Sequence, residues 1–294
     1  MADMPAEIGA VPYWNALAGA YHALRPPLVP SREDIVFLEE TTAAWAANHP
    51  GVPVQALLLG VTPLIAKMRW PQPSTLAAVD GSLEMVRQVW PGNVAGVRGA
   101  LCGDWLALPL RDHSCHMVIG DGSLNCLGLG YPEGFRKAAE SMIRVLDSGG
   151  ILVLRTYLQS DVRERPEDVF ESIFHPPHPT FHEFKFRLLM AVQQNSREGL
   201  VVNEVHRFWA SLNVDPAELA ARTGWDQTAI ETMELYRGSP TVFVFPTRRE
   251  LDSVFSEFFD EVSISTATSE VGKRCPIMVL RPRRGALNSP GVAK

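Results

Sequence analysis

Apolar residues in this chain follow two rhythms, and the change from one to the other lays out the fold. Between positions 54 and 157, short apolar runs recur and end in polar or glycine-bearing turns. They are Val54–Leu59, Thr75–Val79, Val94–Arg98, His116–Gly120 and Gly150–Tyr157. Runs that are apolar at consecutive positions suit strands buried on both faces of a parallel sheet. Helical segments are predicted between them at Pro63–Met68, Ser82–Val89 and Pro132–Leu146. Repeated strand–helix units of this kind predict a parallel sheet covered on both sides.

The flanking regions carry helical spacing. Tyr13, Trp14, Leu17, Tyr21 and Leu24 share one face up to a break at Arg25-Pro26-Pro27. A second helix is predicted over roughly Ser31–Asn48, with Ser31 as its cap and acidic residues in its first turn. From Gln159 to about Tyr236 the pattern becomes longer amphipathic segments rich in Phe, His and Arg, which predict an insertion or cap. The sheet pattern returns as a helix at Thr247–Phe258 and strands at Glu261–Ser265 and Pro276–Arg281, close enough to pair as an antiparallel hairpin.

Composition narrows the function classes. With 294 residues, 46% of them hydrophobic, the chain can bury a full core. A net charge of −6 and a pI near 5.8 give no general attraction to phosphate backbones, so no nucleic-acid partner is expected. The one basic cluster, Arg281–Arg284, precedes a Gly/Pro/Ser tail and is expected to be solvated. Cys102, Cys115, Cys126 and Cys275 have no C-x-x-C spacing, so neither a zinc knuckle nor a disulfide framework is predicted. His175, His178 and His182 lack a completing Cys or acidic motif, and no metal site is predicted from them. The first ten residues lack a basic segment followed by an apolar one, and no run approaches the roughly 18 apolar residues of a membrane span. A cytoplasmic protein without a membrane partner is expected.

Chemistry concentrates in the blocks Val54–Leu64 and Leu76–Val86. Each is an apolar run ending in a turn at a helix start, and the second strand ends in Asp80, 20 residues after Gly60. An acidic residue at about this distance from the first turn can bind the two hydroxyls of a ribose, which points to a nucleoside-containing cofactor. Gly60 lets the backbone approach a ligand, and the following helix start offers free N–H groups. Asp104, in Cys102-Gly103-Asp104-Trp105, can accept an adenine amino hydrogen beside the flat apolar face of Trp105. Asp121, in Gly120-Asp121-Gly122-Ser123, ends the fourth strand, where an open parallel sheet receives ligands.

On these residues the chain resembles the class I S-adenosylmethionine-dependent methyltransferases over Val54–Leu158 and again over Thr247–Arg281. The resemblance implies an α/β fold: a Rossmann-like seven-stranded, mostly parallel sheet with an antiparallel C-terminal hairpin strand, helices on both faces and a helical insertion or cap. It divides the chain into an N-terminal helical lid (1–50), an S-adenosylmethionine-binding core (51–158), a substrate-side insertion (159–236), the C-terminal part of the core sheet (237–282) and a flexible tail (283–294). It implies S-adenosylmethionine as cofactor, held by Gly60, Thr62, Asp80, Gly81, Gly103, Asp104, Trp105, Asp121 and Gly122, with Tyr13, Trp14 and Tyr21 covering it from the lid. The first turn departs from the family in carrying one glycine, with Thr62 and Leu64 where glycines are usual.

The expected activity is methyl transfer to a small molecule. Such transfer mainly requires a nucleophile to be aligned and water excluded, with Asp121, Tyr157 or His182 available should a proton need removing. The Asp121-Gly-Ser-Leu stretch lacks the Asn/Asp-Pro-Pro-Tyr/Phe motif of DNA amino-methyltransferases. Two alternatives stand beside this one: other uses of S-adenosylmethionine on the same fold, such as alkyl transfer, cyclisation or lysis, and a non-catalytic nucleotide-binding regulator. Arg155 is placed at the ligand end of the fifth strand, to face substrate or pair with a neighbouring acid.

Overall fold

Consecutive apolar positions do become a sheet buried on both faces. The computed structural model describes residues 11–283 and residue 285. The N-terminal segment read for export and all of the final tail but residues 283 and 285 therefore lie outside the described residues.

Helices α1 (Val11–Ala20) and α2 (Arg32–Asn48) lead into strand β1 (Val54–Leu59). There follow α3 (Pro63–Ala66), β2 (Ser74–Asp80), α4 (Leu83–Gln88), β3 (Arg98–Cys102), β4 (Cys115–Asp121), α5 (Glu133–Val145) and β5 (Leu146–Arg155). The cap region contains α6 (Pro166–Glu171), α7 (Phe181–Val192), β6 (Leu200–Val201), α8 (Val202–Ser211), α9 (Pro216–Thr223), α10 (Gln227–Glu231) and β7 (Val242–Phe243). The chain returns through α11 (Arg248–Phe255), β8 (Phe259–Ser265) and β9 (Ile277–Pro282).

The main sheet has seven strands in the order β3-β2-β1-β4-β5-β9-β8. Strands β1 to β5 pair in parallel, whereas β9 runs antiparallel to both β5 and β8. Alternate residues of β1 feed opposite cores. Leu57 and Leu59 pack on the side of α5 and α11, with Phe135, Met142 and Leu251. Ala56 and Leu58 pack on the other side, with Leu38, Trp45 and Met85. Leu57, Leu58 and Leu59 are at most 1% exposed, and burying each contributes about 1.5–3 kcal/mol.

The predicted strand Val94–Arg98 is corrected by the structure. Val97 and Arg98 both donate backbone hydrogen bonds to Val94, and Gly96 has φ +69°, so these residues form a turn. The strand is β3, which starts at Arg98. As the edge strand it is only partly covered, and its sequence Arg-Gly-Ala-Leu-Cys carries no continuous apolar run.

Ser31 caps α2 as expected. Its hydroxyl accepts the Asp34 N–H, and the Asp34 carboxylate accepts the Ser31 N–H at 2.8 Å. Thr180 and Glu183 form the same reciprocal pair at the start of α7. Helix α7 is buried along its length among Phe181, Phe184, Trp209 and Trp225, and this third core also takes in Tyr13, Leu17 and Tyr157. The cap core thus rests directly on α1 and on the end of β5.

Candidate functional site

The parallel strands carry their chain direction, and so their terminal polar residues, to one edge of the sheet. Strand β1 ends at Gly60, whose φ of +98° lies in the left-handed region and whose N–H donates to Val79 at 2.8 Å. A Cβ there would stand 3.8 Å from the Trp105 ring and 3.9 Å from Asp80 Oδ2. The carboxylate and the indole therefore face the space beside this glycine. The indole is fixed by donating Nε1–H to the Val79 carbonyl at 2.6 Å.

Asp80 ends β2 and Asp121 ends β4, so the two carboxylates flank β1. Asp80 is 8% exposed, and its Oδ1 accepts the Ser82 N–H at 2.8 Å. Among the described residues no group donates to Oδ2. Burial raises its pKa from 3.8 to about 6, against the lowering effect of the Ser82 hydrogen bond. It is still mainly ionised at neutral pH.

Asp121 has a different environment. Its Oδ1 accepts from Arg155 Nη1 at 2.8 Å, and Thr62 Oγ1 lies 3.4 Å from Oδ2. Arg155, 3% exposed, also places Nε 3.1 Å from Asp34 Oδ2 and donates Nη2–H to the Pro27 carbonyl at 2.8 Å. One buried guanidinium thus joins two carboxylates and the segment between α1 and α2. Burial pushes the Asp121 carboxyl up, with Arg155 opposing it. Burial acts to lower the Arg155 pKa, but the neighbouring carboxylates outweigh it, and the group stays charged.

Gly122 follows with φ +64°, and a Cβ would lie 2.7 Å from the Tyr157 ring, so only glycine fits against that phenol. Burial holds the Tyr157 hydroxyl well above its usual pKa. It stands 3.4 Å from the Leu28 carbonyl and 3.3 Å from Arg155 Nη1.

These groups line one cavity. Gly60, Thr62, Asp80, Met85, Trp105 and Asp121 line it from the strand ends. Tyr13, Trp14 and Tyr21 contribute from the N-terminal segment, and Lys185, Phe186, Tyr236 and Phe243 from the cap side. Gly122 and Tyr157 also line it.

Four expected site residues do not line the cavity. Gly81 directly follows Asp80, and its carbonyl lies 3.5 Å from Cys102 Sγ. Gly103 packs so closely on Val79 and Pro109 that a Cβ would come within 3.1 Å of both. Asp104 is exposed, and its Oδ1 caps the short 3-10 turn Trp105–Ala107. His182 is buried in the cap, where burial first, then Lys185 and Arg25, lowers its pKa to about 4, so its ring is neutral at neutral pH. Arg25 is exposed and donates to the carbonyls of His22 and Leu24.

Lys185 is the functional candidate that sequence patterning missed. It occupies a core position of α7, one turn from Phe181 and Leu189, and is 1% exposed. Its Nζ donates to Thr232 O at 3.1 Å and Thr232 Oγ1 at 2.9 Å, and lies 4.4 Å from the centroid of the Tyr236 ring. Burial lowers its pKa to about 7. The available signal was a lysine between two phenylalanines on the buried face of a helix.

Among the described residues, no group of three or more His, Cys, Asp or Glu is placed to hold a metal ion. None of their helices is long and apolar enough to cross a membrane.

No family model and no curated protein matches the sequence. Solved structures do resemble it. A protein from Rhodobacter sphaeroides, provisionally named a Zn-dependent alcohol dehydrogenase, aligns over 94% of this chain and 98% of its own, at 13% identity and a TM-score of 0.60. The N-methyltransferase NodS from Bradyrhizobium japonicum WM9, solved with S-adenosyl-L-homocysteine, aligns over 92% and 98% at 10% identity and a TM-score of 0.46. A Burkholderia thailandensis 1,6-didemethyltoxoflavin-N1-methyltransferase aligns over 96% and 92% at 12% identity and a TM-score of 0.46. At 13% identity the first likeness bears on the fold alone. The other two are too distant to assign an activity or a ligand.

Proposed function

We propose that this protein binds S-adenosylmethionine across the ends of β1, β2 and β4 and transfers a methyl group to a small-molecule acceptor held toward the cap. The observation that carries this is the pair at the ends of β1 and β2. A buried carboxylate, one oxygen of which has no donor among the described residues, faces a glycine turn that leaves room for a ligand. A desolvated carboxylate without a cationic partner is costly in an empty site, and two ligand hydroxyls would supply the missing donors.

The cofactor would contribute a methyl group already activated on a positive sulfur. Asp80 would accept the ribose hydroxyls, with Gly81 continuing the turn. Trp105, which lines the cavity, would give the adenine a flat face. Thr62, Asp121 and Gly122 would meet the amino-acid portion, and Tyr13, Trp14 and Tyr21 would cover the positive sulfur and keep water out. Asp121 and Tyr157, held together by Arg155, would orient the acceptor. Burial keeps Tyr157 a phenol, with its hydrogen directed at the Leu28 carbonyl.

Both the strand order and the antiparallel β9 support this over dehydrogenase chemistry, as does a first turn without G-x-G-x-x-G. Calorimetry with S-adenosylmethionine and S-adenosylhomocysteine, followed by mass spectrometry of the products, tests the proposal. S-adenosylhomocysteine together with a methylated acceptor is the expected result. Methylthioadenosine as the only thioether product would point to different chemistry on the same cofactor, and absence of binding would point to a regulatory protein.

A further inference from the structure

The cap end of the cavity is aromatic and holds one buried amine. Tyr13, Phe186, Tyr236 and Phe243 contribute rings there, and Lys185 lies among them with almost no exposure. Thr232 takes two of the three ammonium hydrogens, through its carbonyl and its hydroxyl. That hydroxyl is itself occupied in donating to Ala229 at 2.6 Å. Among the described residues no carboxylate pairs with Nζ, and burial alone perturbs its pKa. An ammonium so placed lacks a counter-ion, and the protein supplies only dipoles and a ring face in its stead.

From this arrangement we infer that the cap end is a recognition subsite for a planar aromatic anion, whose carboxylate or phenolate oxygen takes the remaining hydrogen of Lys185. The inference deepens the methyl-transfer proposal, on which it rests for the ligand's role as acceptor. Four considerations carry it. The walls are flat and apolar, so they suit a ring rather than a flexible polar chain. The other titratable groups around this end, Tyr13, Tyr236 and Cys126, are all pushed up by burial and stay neutral, so none competes as counter-ion. His182, on the same helix, is neutral as well. Finally, an anionic oxygen would convert a desolvated amine into a charge-assisted pair in a low-dielectric site, where such a bond is strong.

The test is calorimetric titration, at neutral pH, with benzoate and 2-naphthoate against their neutral amides, benzamide and 2-naphthamide. Each is run with and without S-adenosylhomocysteine. The anions are expected to bind at least about tenfold more tightly than the amides, as a charge-assisted hydrogen bond in a desolvated site provides. In Lys185→Met that preference should vanish while the affinity for S-adenosylhomocysteine is unchanged. Equal binding of acid and amide, no binding of either anion, or a preference that survives Lys185→Met would each overturn the inference. Should Lys185→Met fail to fold, the acid-against-amide comparison in the wild-type protein decides alone. Lys185-dependent anion binding without any S-adenosylhomocysteine binding would retain the subsite and remove the methyl-transfer proposal. The reverse pattern would remove only the subsite.

Discussion

Asp80→Asn should make the ligand-free protein more stable and the liganded protein weaker. In the folded chain, burial raises the Asp80 pKa from 3.8 to about 6. At 1.36 kcal/mol for each tenfold change, holding this carboxylate ionised at neutral pH costs about 3 kcal/mol of folding stability. The sign follows from proton counting. Between 3.8 and about 6 the folded state binds the proton and the unfolded state does not, so stability falls as pH rises through that window. Above it the cost is fully present. Asparagine keeps an oxygen to accept the Ser82 N–H but brings a buried amide, which reduces the gain to about 1–3 kcal/mol, or a few degrees in melting temperature. Urea unfolding of both proteins at neutral pH and near pH 5 measures this, and the stability difference should fall by about 1.3 kcal/mol at the lower pH, where half of the folded-state cost is already relieved by protonation. S-adenosylhomocysteine should bind the variant about 10- to 100-fold more weakly, because two charge-assisted hydrogen bonds become neutral ones. A variant no more stable than the wild type, or a gain independent of pH, would refute the argument that Asp80 is a strained, ligand-awaiting carboxylate.

Gly60→Ala should lose about 1–3 kcal/mol in urea unfolding because φ +98° is unfavourable for alanine. Since its methyl enters the space beside Trp105 and Asp80, calorimetry should also show weaker S-adenosylhomocysteine binding. Arg155→Met should cost about 3–5 kcal/mol, because it leaves Asp34 and Asp121 as uncompensated buried carboxylates; an unfolding midpoint near the wild type would contradict the role given to this cluster. Lys185→Met should stabilise the ligand-free protein most at or below neutral pH. Burial moves the folded-state pKa down from 10.5 to about 7, so the cost of the charged amine is fully present below about 7 and disappears as pH rises toward 10.5. Unfolding midpoints across that range check the direction.

The central strands were legible because a parallel strand buried on both faces carries a continuous apolar run, here Ala56–Leu59 in β1, Leu76–Val79 in β2, Met117–Ile119 in β4 and Ile151–Leu154 in β5. The edge strand β3 escaped because one side of it lacks a neighbour, so partial exposure replaces the apolar run. Asp80 and Asp121 were legible as acids at strand ends. Their environments were not: only the structure distinguishes a carboxylate with a free oxygen from one paired with arginine. Sequence position alone leaves Arg155 facing either substrate or an acid, and three-dimensional proximity brings two acids to it, one from α2 far away in sequence. Lys185 is passed over for a related reason. Polar residues in helices are ordinarily assigned to the solvent face, and only the surrounding cap turns this position inward.

The buried ion cluster also explains how the N-terminal segment is held over the site. Arg155 donates to the Pro27 carbonyl, the Tyr157 hydroxyl lies beside the Leu28 carbonyl, and Asp34 at the start of α2 shares the same guanidinium. All three contacts fall between or just after the elements that carry Tyr13, Trp14 and Tyr21. Two residues at the end of β5 therefore fix the register of the aromatic cover against the sheet edge. Asn15 contributes a second tether, because Ser82 donates its hydroxyl hydrogen to the Asn15 side chain at 2.7 Å just beyond Asp80. A cover tied at both β2 and β5 spans the cavity between them, so a ligand on the strand ends would contact the lid, the sheet and the cap at once. Binding there should accordingly protect the amides of α1 and the Leu28 N–H, which donates to the Arg25 carbonyl at 3.0 Å, from hydrogen exchange. Protection confined to the strand ends would separate the lid from the site.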